Sequence, residues 1–239
     1  MNEATIDKSA ARIRRMFGQI AHRYDRMNHL LSMQIDRYWR WRTVRKVAPS
    51  GNAPILDVCT GTGDLAFAYR KKSDPEATVI GTDFCHEMLQ VARRRQHRKP
   101  PASALYFAEA DTLSLPFRDH TFQIVSVAFG LRNVSDTDRG LREMTRVCRE
   151  GGQVTILEFS MPKLWPIRQI YGFYFRRILP RIGQWLARNK DDAYEYLPES
   201  VNEFPSGEAL VERMTKAGLS QVRYFPLTFG VATMYVGKK

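Results

Sequence analysis

The sequence predicts an open α/β fold: a mostly parallel seven-stranded sheet with helices on both faces, an N-terminal helical cap and a C-terminal antiparallel hairpin. Three observations predict it. From Pro54 onward short apolar runs alternate with helical stretches, the pattern of βαβ units. Asp57, Asp83 and Asp111 fall at or just past the ends of such runs, on the edge where open α/β sheets bind their ligands. The stretch VRYFPLTFGVATMYV, 222–236, holds two β-rich runs joined around Gly230, which suits a terminal hairpin.

Taken in order, residues 11–24 place Ile13, Met16, Phe17, Ile20 and Tyr24 on one helical face, with Arg12, Arg14 and Arg15 opposite. A second helical pattern runs from Leu30 to Arg42, and Pro49, Ser50 and Gly51 then interrupt the chain. These segments make a helical cap over 1–48. Strands are predicted at 55–58, 78–82, 105–108, 122–128 and 153–159, and helices at 64–71, 86–97 and 137–149. Right-handed crossovers bring the carboxyl ends of the strands to one edge. After the fifth strand, residues 161–205 form an insertion within one domain spanning 1–239. Its first thirty residues carry seven Lys or Arg, six aromatics and no acid.

Composition narrows the class. The 239 residues are 44% hydrophobic and 26% charged, ordinary for a chain that buries a sizeable core. No apolar run is long enough to span a bilayer, and the N-terminus has no apolar core of the kind a secretory signal needs. A cytoplasmic location is expected. Cys59, Cys85 and Cys148 stand far apart without a CxxC pair, which indicates neither a disulfide framework nor a metal site. The net charge of +12 favours an anionic partner without choosing among nucleic acid, lipid headgroups and substrate.

The run ILDVCTGTGDL, Ile55 to Leu65, is the most informative stretch. Gly61, Gly63 and Ala66 satisfy G-x-G-x-x-A, and Asp83 lies where a carboxylate accepts from ribose hydroxyls, so the turn suits an adenosine cofactor. Asp57 and Asp64 flank the turn. Beside a pyrophosphate, each acid at ~5 Å and an effective dielectric near ~20 would cost about 3 kcal/mol before screening. S-adenosylmethionine carries a sulfonium and an ammonium instead, and is the expected cofactor. An N-cap role for Asp64 and a solvated strand end for Asp57 are the plain alternatives. Asp111, with Thr112 in the same loop, is placed to accept from the adenine amino group.

The ordered set LDVCTGTGD, GTDF, EADTLSLPF and REGGQVTILEFS resembles the class I S-adenosylmethionine-dependent methyltransferases, whose fold is Rossmann-like. RYDRMNHLLS at 23–32, FGLRNV at 129–134, LPRIG at 179–183 and EYLPESV at 195–201 narrow the likeness to the UbiE/MenG family of quinol C-methyltransferases. The resemblance implies that Thr62, Asp83, Asp111 and Thr112 contact the cofactor and that the substrate is a polyprenylated quinol. Three positions depart from the family pattern: Ala128 where many members have Ser, Asp36 where His is usual, and Glu150 in place of Pro before Gly151.

A hydroquinone becomes a carbon nucleophile once a hydroxyl ionises, and a phenol near pKa ~10 needs a cation beside it. Arg132 in FGLRN is the candidate for that cation; it cannot be the base. A water or a carboxylate such as Asp25 in RYDRMN is the candidate proton acceptor, with Tyr24 or Asn133 orienting the ring. Plain alternatives are a salt bridge and loop cap for Arg132 and Asn133, and pairing with Arg23 or Arg26 for Asp25. The insertion is read as a substrate lid, and its mixed aromatic and basic content suits peripheral contact with the inner face of the membrane. Packing of the same aromatics on the sheet is the plain alternative. Nucleic acid is not expected, for no RNA-binding motif accompanies the charge. An RNA methyltransferase or a silent partner of the same fold are the competing functions, and homodimerisation is left open.

Overall fold

The computed structural model describes residues 8–98, 104–174, 177 and 193–239. Helix α1 (Ala10–Leu31) runs past the predicted stretch, and α2 (Ile35–Lys46) begins only after a turn. Met33 and Gln34 take left-handed backbone angles, φ 49° and 62°, so Leu30 and Leu31 finish α1 instead of opening the second helix.

Five parallel strands follow: β1 (Ile55–Val58), β2 (Val79–Asp83), β3 (Leu105–Glu109), β4 (Phe122–Ala128) and β5 (Cys148–Phe159). Helices α3 (Asp64–Arg70), α4 (His86–His97) and α5 (Thr137–Val147) make crossovers between them. Then come α6 (Trp165–Phe173), α7 (Ala193–Glu203), α8 (Glu208–Lys216), β6 (Ser220–Leu227) and β7 (Ala232–Lys238). The sheet is seven-stranded in the order β3-β2-β1-β4-β5-β7-β6. The C-terminal hairpin is antiparallel, as its sequence predicts, but β7 lies between β5 and β6. Strand β5 starts five residues before its predicted start at 153, because Cys148 already pairs with Phe122 before an irregularity shifts the register to Ile124 and Gln153.

Both faces of the sheet are covered, so β1 and β4 are buried along almost their whole length, with Asp57, Gln123 and Ser126 as the polar exceptions to their apolar character. Ile55, Val79 and Leu105 pack with α2, α3 and α4 on one face. Leu56, Val58 and Val125 pack with α5 and α8 on the other. Of the basic aromatic insertion, Phe175, Arg176, Arg181, Trp185 and Arg188 lie outside the described residues, as does the LPRIG block.

Trp39 ties α2 to this frame. It is buried, its indole Nε1 donates to Thr228 Oγ1 at 2.8 Å, and its ring meets Phe129 and Phe159 with centroids 5.9 and 6.0 Å away. Trp39→Ala is expected to cost about 3–5 kcal/mol in denaturant unfolding. Trp39→Phe, which loses the hydrogen bond but keeps an aromatic filler, should cost less than half of that.

Candidate active site

The sheet order reverses between β1 and β4, and the crevice at their carboxyl ends holds two adjoining cavities. Asp57, Gly61, Thr62, Asp83, Asp111 and Thr112 all line the first. Gly63 supports it from behind: its φ is +89°, and a Cβ there would fall 2.8 Å from the Phe107 ring.

Three backbone donors of the glycine turn are already engaged. Thr60 N–H donates to Thr82 O at 2.9 Å, Gly63 N–H to Thr60 O at 2.9 Å, and Gly61 N–H to Asp83 Oδ2 at 2.8 Å. The other Asp83 oxygen accepts from Cys85 N–H at 2.9 Å. A phosphate needs such amides free, and here a protein carboxylate has taken one of them. Burial pushes the Asp83 carboxyl up to about 6 and that of Asp57 to about 7. Hydroxyl donors Thr60 Oγ1 at 2.6 Å and Ser126 Oγ at 2.8 Å partly offset the rise at Asp57. Asp111 is exposed and accepts from Leu113 N–H at 2.9 Å, while Thr112 is buried against Cys59 Sγ at 3.3 Å.

This corrects the electrostatic expectation in one respect. Asp64 does not present an uncompensated charge: Arg95 Nη2 lies 2.6 Å and Arg40 Nη2 3.5 Å from its carboxylate. Burial pushes Asp64 upward, but the two guanidinium groups outweigh it and hold the group below the usual carboxylate range. Discrimination against phosphate therefore rests on Asp57, Asp83 and the occupied amides, not on Asp64.

Asp25 is placed away from both cavities. It accepts from the Thr62 hydroxyl and pairs with Arg95 at 2.9 Å, so it braces the glycine turn. Asn133 lines the first cavity, not the second, with a buried Oδ1 that has no protein partner. Such an orphaned acceptor, with the Asp57 and Asp83 carboxyls, fits ligand hydroxyl and amino groups. The cations on this wall are matched, Arg40 with Asp36 and Asp64 and Lys8 with Glu203 at 4.0 Å. Adenosine attached to a cationic sulfur fits that chemistry; a dinucleotide does not.

The second cavity, about 370 Å³, is mostly apolar. Phe17, Tyr24, Arg40 and Phe129 line both cavities and form the wall between them. Phe129 takes a left-handed conformation, φ 59°, strained for an aromatic residue. Burial raises the Tyr24 hydroxyl pKa, with Arg132 and Arg40 working against the rise. Arg132 borders the second cavity, buried as half of an ion pair with Glu158 Oε2 at 3.0 Å and donating to Phe129 O. The pairing considered as its plain alternative is present, and the guanidinium still reaches the cavity wall.

Sequence reasoning passed over Asp36 and Arg40. Asp36 is the one carboxylate lining the second cavity among the described residues. It accepts from Ser32 Oγ at 2.6 Å, pairs with Arg40, and lies 2.8 Å from His29 Nδ1. Burial pushes it upward, yet Ser32 and Arg40 prevail and keep it ionised. The i,i+4 spacing of Asp36 and Arg40 was the available signal.

The model described as the ubiE/COQ5 methyltransferase family matches residues 5–239. The chain belongs to that family. A Thermus thermophilus relative named demethylmenaquinone methyltransferase is 45% identical, with 94% of this chain and 100% of the relative covered. A Citrifermentans bemidjiense relative named ubiquinone/menaquinone biosynthesis C-methyltransferase UbiE is 42% identical, with 98% and 99% covered. Among solved structures, the [4+2]-cyclase SpnF matches with TM-score 0.70 at 13% identity, with 95% of each chain covered. A Thermotoga maritima methyltransferase matches with TM-score 0.65 at 17% identity, with 94% and 98% covered. These likenesses show the class I methyltransferase fold. Family membership makes the chain an S-adenosylmethionine-dependent methyltransferase, and the donor set of the first cavity suits that cofactor.

A cationic ligand favours the ionised forms of Asp57 and Asp83, so binding releases protons wherever these groups are still protonated. Affinity for S-adenosylmethionine is expected to rise with pH, by up to about tenfold per pH unit near pH 6–7, and to level off above pH 8. Calorimetry from pH 5.5 to 8.5 checks this; Asp57→Asn should flatten the upper part of the curve.

Proposed function

We propose that the chain methylates a ring carbon of a polyprenylated quinol, the step from demethylmenaquinol to menaquinol or its counterpart on a methoxy-polyprenyl-benzoquinol, in menaquinone or ubiquinone biosynthesis. One observation carries the proposal: an acid-lined cavity at the strand ends shares a wall with a far more apolar one whose rim, at Met33, Ile170 and Phe229, is open to solvent. A cationic donor and an apolar ring with a long tail are reactants of those two characters. The names of the Thermus and Citrifermentans relatives point to the same substrates. No comparable feature favours RNA.

S-adenosylmethionine, held by Asp57, Gly61, Thr62, Asp83, Asp111 and Thr112, supplies an electrophilic methyl group. The chain's own part is to align the ring and ionise it. Phe17, Phe129 and Phe159 give flat apolar walls, and holding two reactants in line removes much of the barrier. Arg40 and Arg132 supply positive potential where the ring hydroxyl becomes a phenolate. The hydroxyl proton passes to Asp36 and on to His29, whose ring is partly exposed. This assigns to Asp36 the acceptor role that the sequence reading gave to Asp25. After transfer the methylated ring carbon gives up its proton to water while the ring oxygen is reprotonated, which restores the aromatic hydroquinone and leaves one proton released overall. Tyr24 and Asn133, on the wall and the cofactor side, position the reactants.

Helices α6 and α7 act as the lid: they contribute Ile167, Ile170, Tyr171 and Tyr196 to the second cavity. Trp165, Ile170 and Phe173 of α6 are exposed, which supports peripheral contact with the cytoplasmic face of a membrane. No helix among the described residues is long and apolar enough to cross a membrane.

Arg132→Ala would leave Glu158 buried without its partner, a destabilisation of about 3–5 kcal/mol, so lost activity there would be ambiguous. Asp36→Asn keeps the side-chain shape. It is expected to lower kcat by at least ~100-fold on a short-chain demethylmenaquinol, with S-adenosylmethionine affinity within about twofold of the parent. Radiolabel transfer and calorimetry measure the two. An unchanged kcat would move the acceptor role elsewhere.

A further inference from the structure

The helix α2 carries a second surface that the proposed reaction does not use. Its inner side faces the cavities and the core through Asp36, Trp39 and Arg40. Its outer side is one continuous stripe: Arg37, Trp41 and Arg45 follow one another at i,i+4 spacing, with Tyr38 and Arg42 alongside. All five are exposed, and none is acidic. Tyr38 and Trp41 stay 48% and 47% exposed while lying ring against ring at 6.0 Å, and Arg45 stacks on the indole at 5.2 Å. A solvated face has no need of paired aromatics, and a core face would not bear three guanidinium groups.

The position of the stripe identifies what covers it. Immediately before α2, Met33 is 74% exposed and belongs to the rim of the substrate cavity. Across that rim stand Ile170 at 72% and Phe229 at 70% exposure, the latter in the turn that Trp39 binds through Thr228. From Arg37 to Arg45 the stripe thus continues the apolar mouth by about two helical turns, roughly 12 Å. Aromatic rings that settle at headgroup depth, cations for anionic headgroups and an apolar opening between them are the requirements of an interfacial helix beside a lipid portal.

We infer that the outer face of α2 docks the enzyme on an anionic bilayer, with the substrate cavity opening onto the lipid so that a prenyl tail stays in the membrane while its ring enters. The inference rests on the quinol reading for its purpose, but the docking surface is testable without it. Anionic phospholipid is the partner that the mixed aromatic and cationic face fits; an RNA strand would use the same cations but has no use for the apolar mouth.

The test uses the full chain and a quadruple variant, Tyr38→Ser, Trp41→Ser, Arg42→Glu and Arg45→Glu, whose folding is checked by thermal melting. Flotation with vesicles of phosphatidylglycerol and phosphatidylcholine should recover the parent protein at low salt and much less of it at 0.5 M salt, as screening predicts for a cation-led contact. The variant should float at least tenfold less. Its turnover should be unchanged on a soluble single-prenyl quinol and at least tenfold lower on a long-prenyl quinol embedded in the vesicles. Equal flotation of parent and variant would overturn the inference, as would equal loss on both substrates. Failure of the parent to float while it retains a fluorescent RNA oligonucleotide would replace lipid by nucleic acid. A parent that floats, and a variant that does not, uphold the surface even if neither quinol is methylated; that last outcome would instead remove the proposed substrate.

Discussion

Arg40 is the interaction on which the site depends. From α2 its guanidinium reaches Asp36 on its own helix and Asp64 at the start of α3, and its stem borders both cavities. Two largely buried carboxylates are tolerable there only because a cation stands between them, and Arg95 completes the balance by holding Asp64 and Asp25 together. The cap is therefore fastened to the sheet by charge as well as by the packing of Trp39. This fastening sets the thickness of the wall between the two cavities, and so the distance over which a methyl group has to pass. His29, Asp36 and Asp64 come within 4.8 Å of one another, a spacing a metal ion could use, but Arg40 already supplies the positive charge to that cluster.

Much of this was legible in the chain. Alternating apolar runs and helical stretches gave the parallel strands, and glycines with acids at the strand ends pointed to the residues that line the first cavity, because both signals are local and survive without tertiary information. What could not be read was which acids keep their charge. Asp57 and Asp64 look equivalent around one turn, yet Asp57 is held by two hydroxyl donors with burial dominant, whereas Asp64 is ion-paired with two guanidinium groups brought from α2 and α4. The partners of Asp25 and Arg132 were hidden for the same reason: Arg95 lies seventy residues from Asp25 and Glu158 twenty-six from Arg132. The turn at Met33 and Gln34 was missed differently, since neither residue type announces a left-handed backbone.

The likeness to a cyclase as well as to methyltransferases shows how little the sheet itself decides. The frame provides an edge with inward-facing acids. The chemistry of each member is set by what closes that edge, and here the closing elements are α1, α2, α6 and α7, rich in aromatic rings and poor in free charge where they line the cavity. Polarity is steepest across the shared wall: carboxyl groups on one side, phenylalanine and tyrosine rings on the other.

The placement of β7 has a consequence for biosynthesis. It lies between β5 and β6 although it follows both in the chain, so the ribosome delivers the inner strand after the outer one. Until Lys238 has cleared the exit tunnel, the long edge of β5 remains unpaired, and β6 has no neighbour to lie against. A nascent chain of this kind waits with a sticky border exposed, and β7 acts as the wedge that completes the sheet.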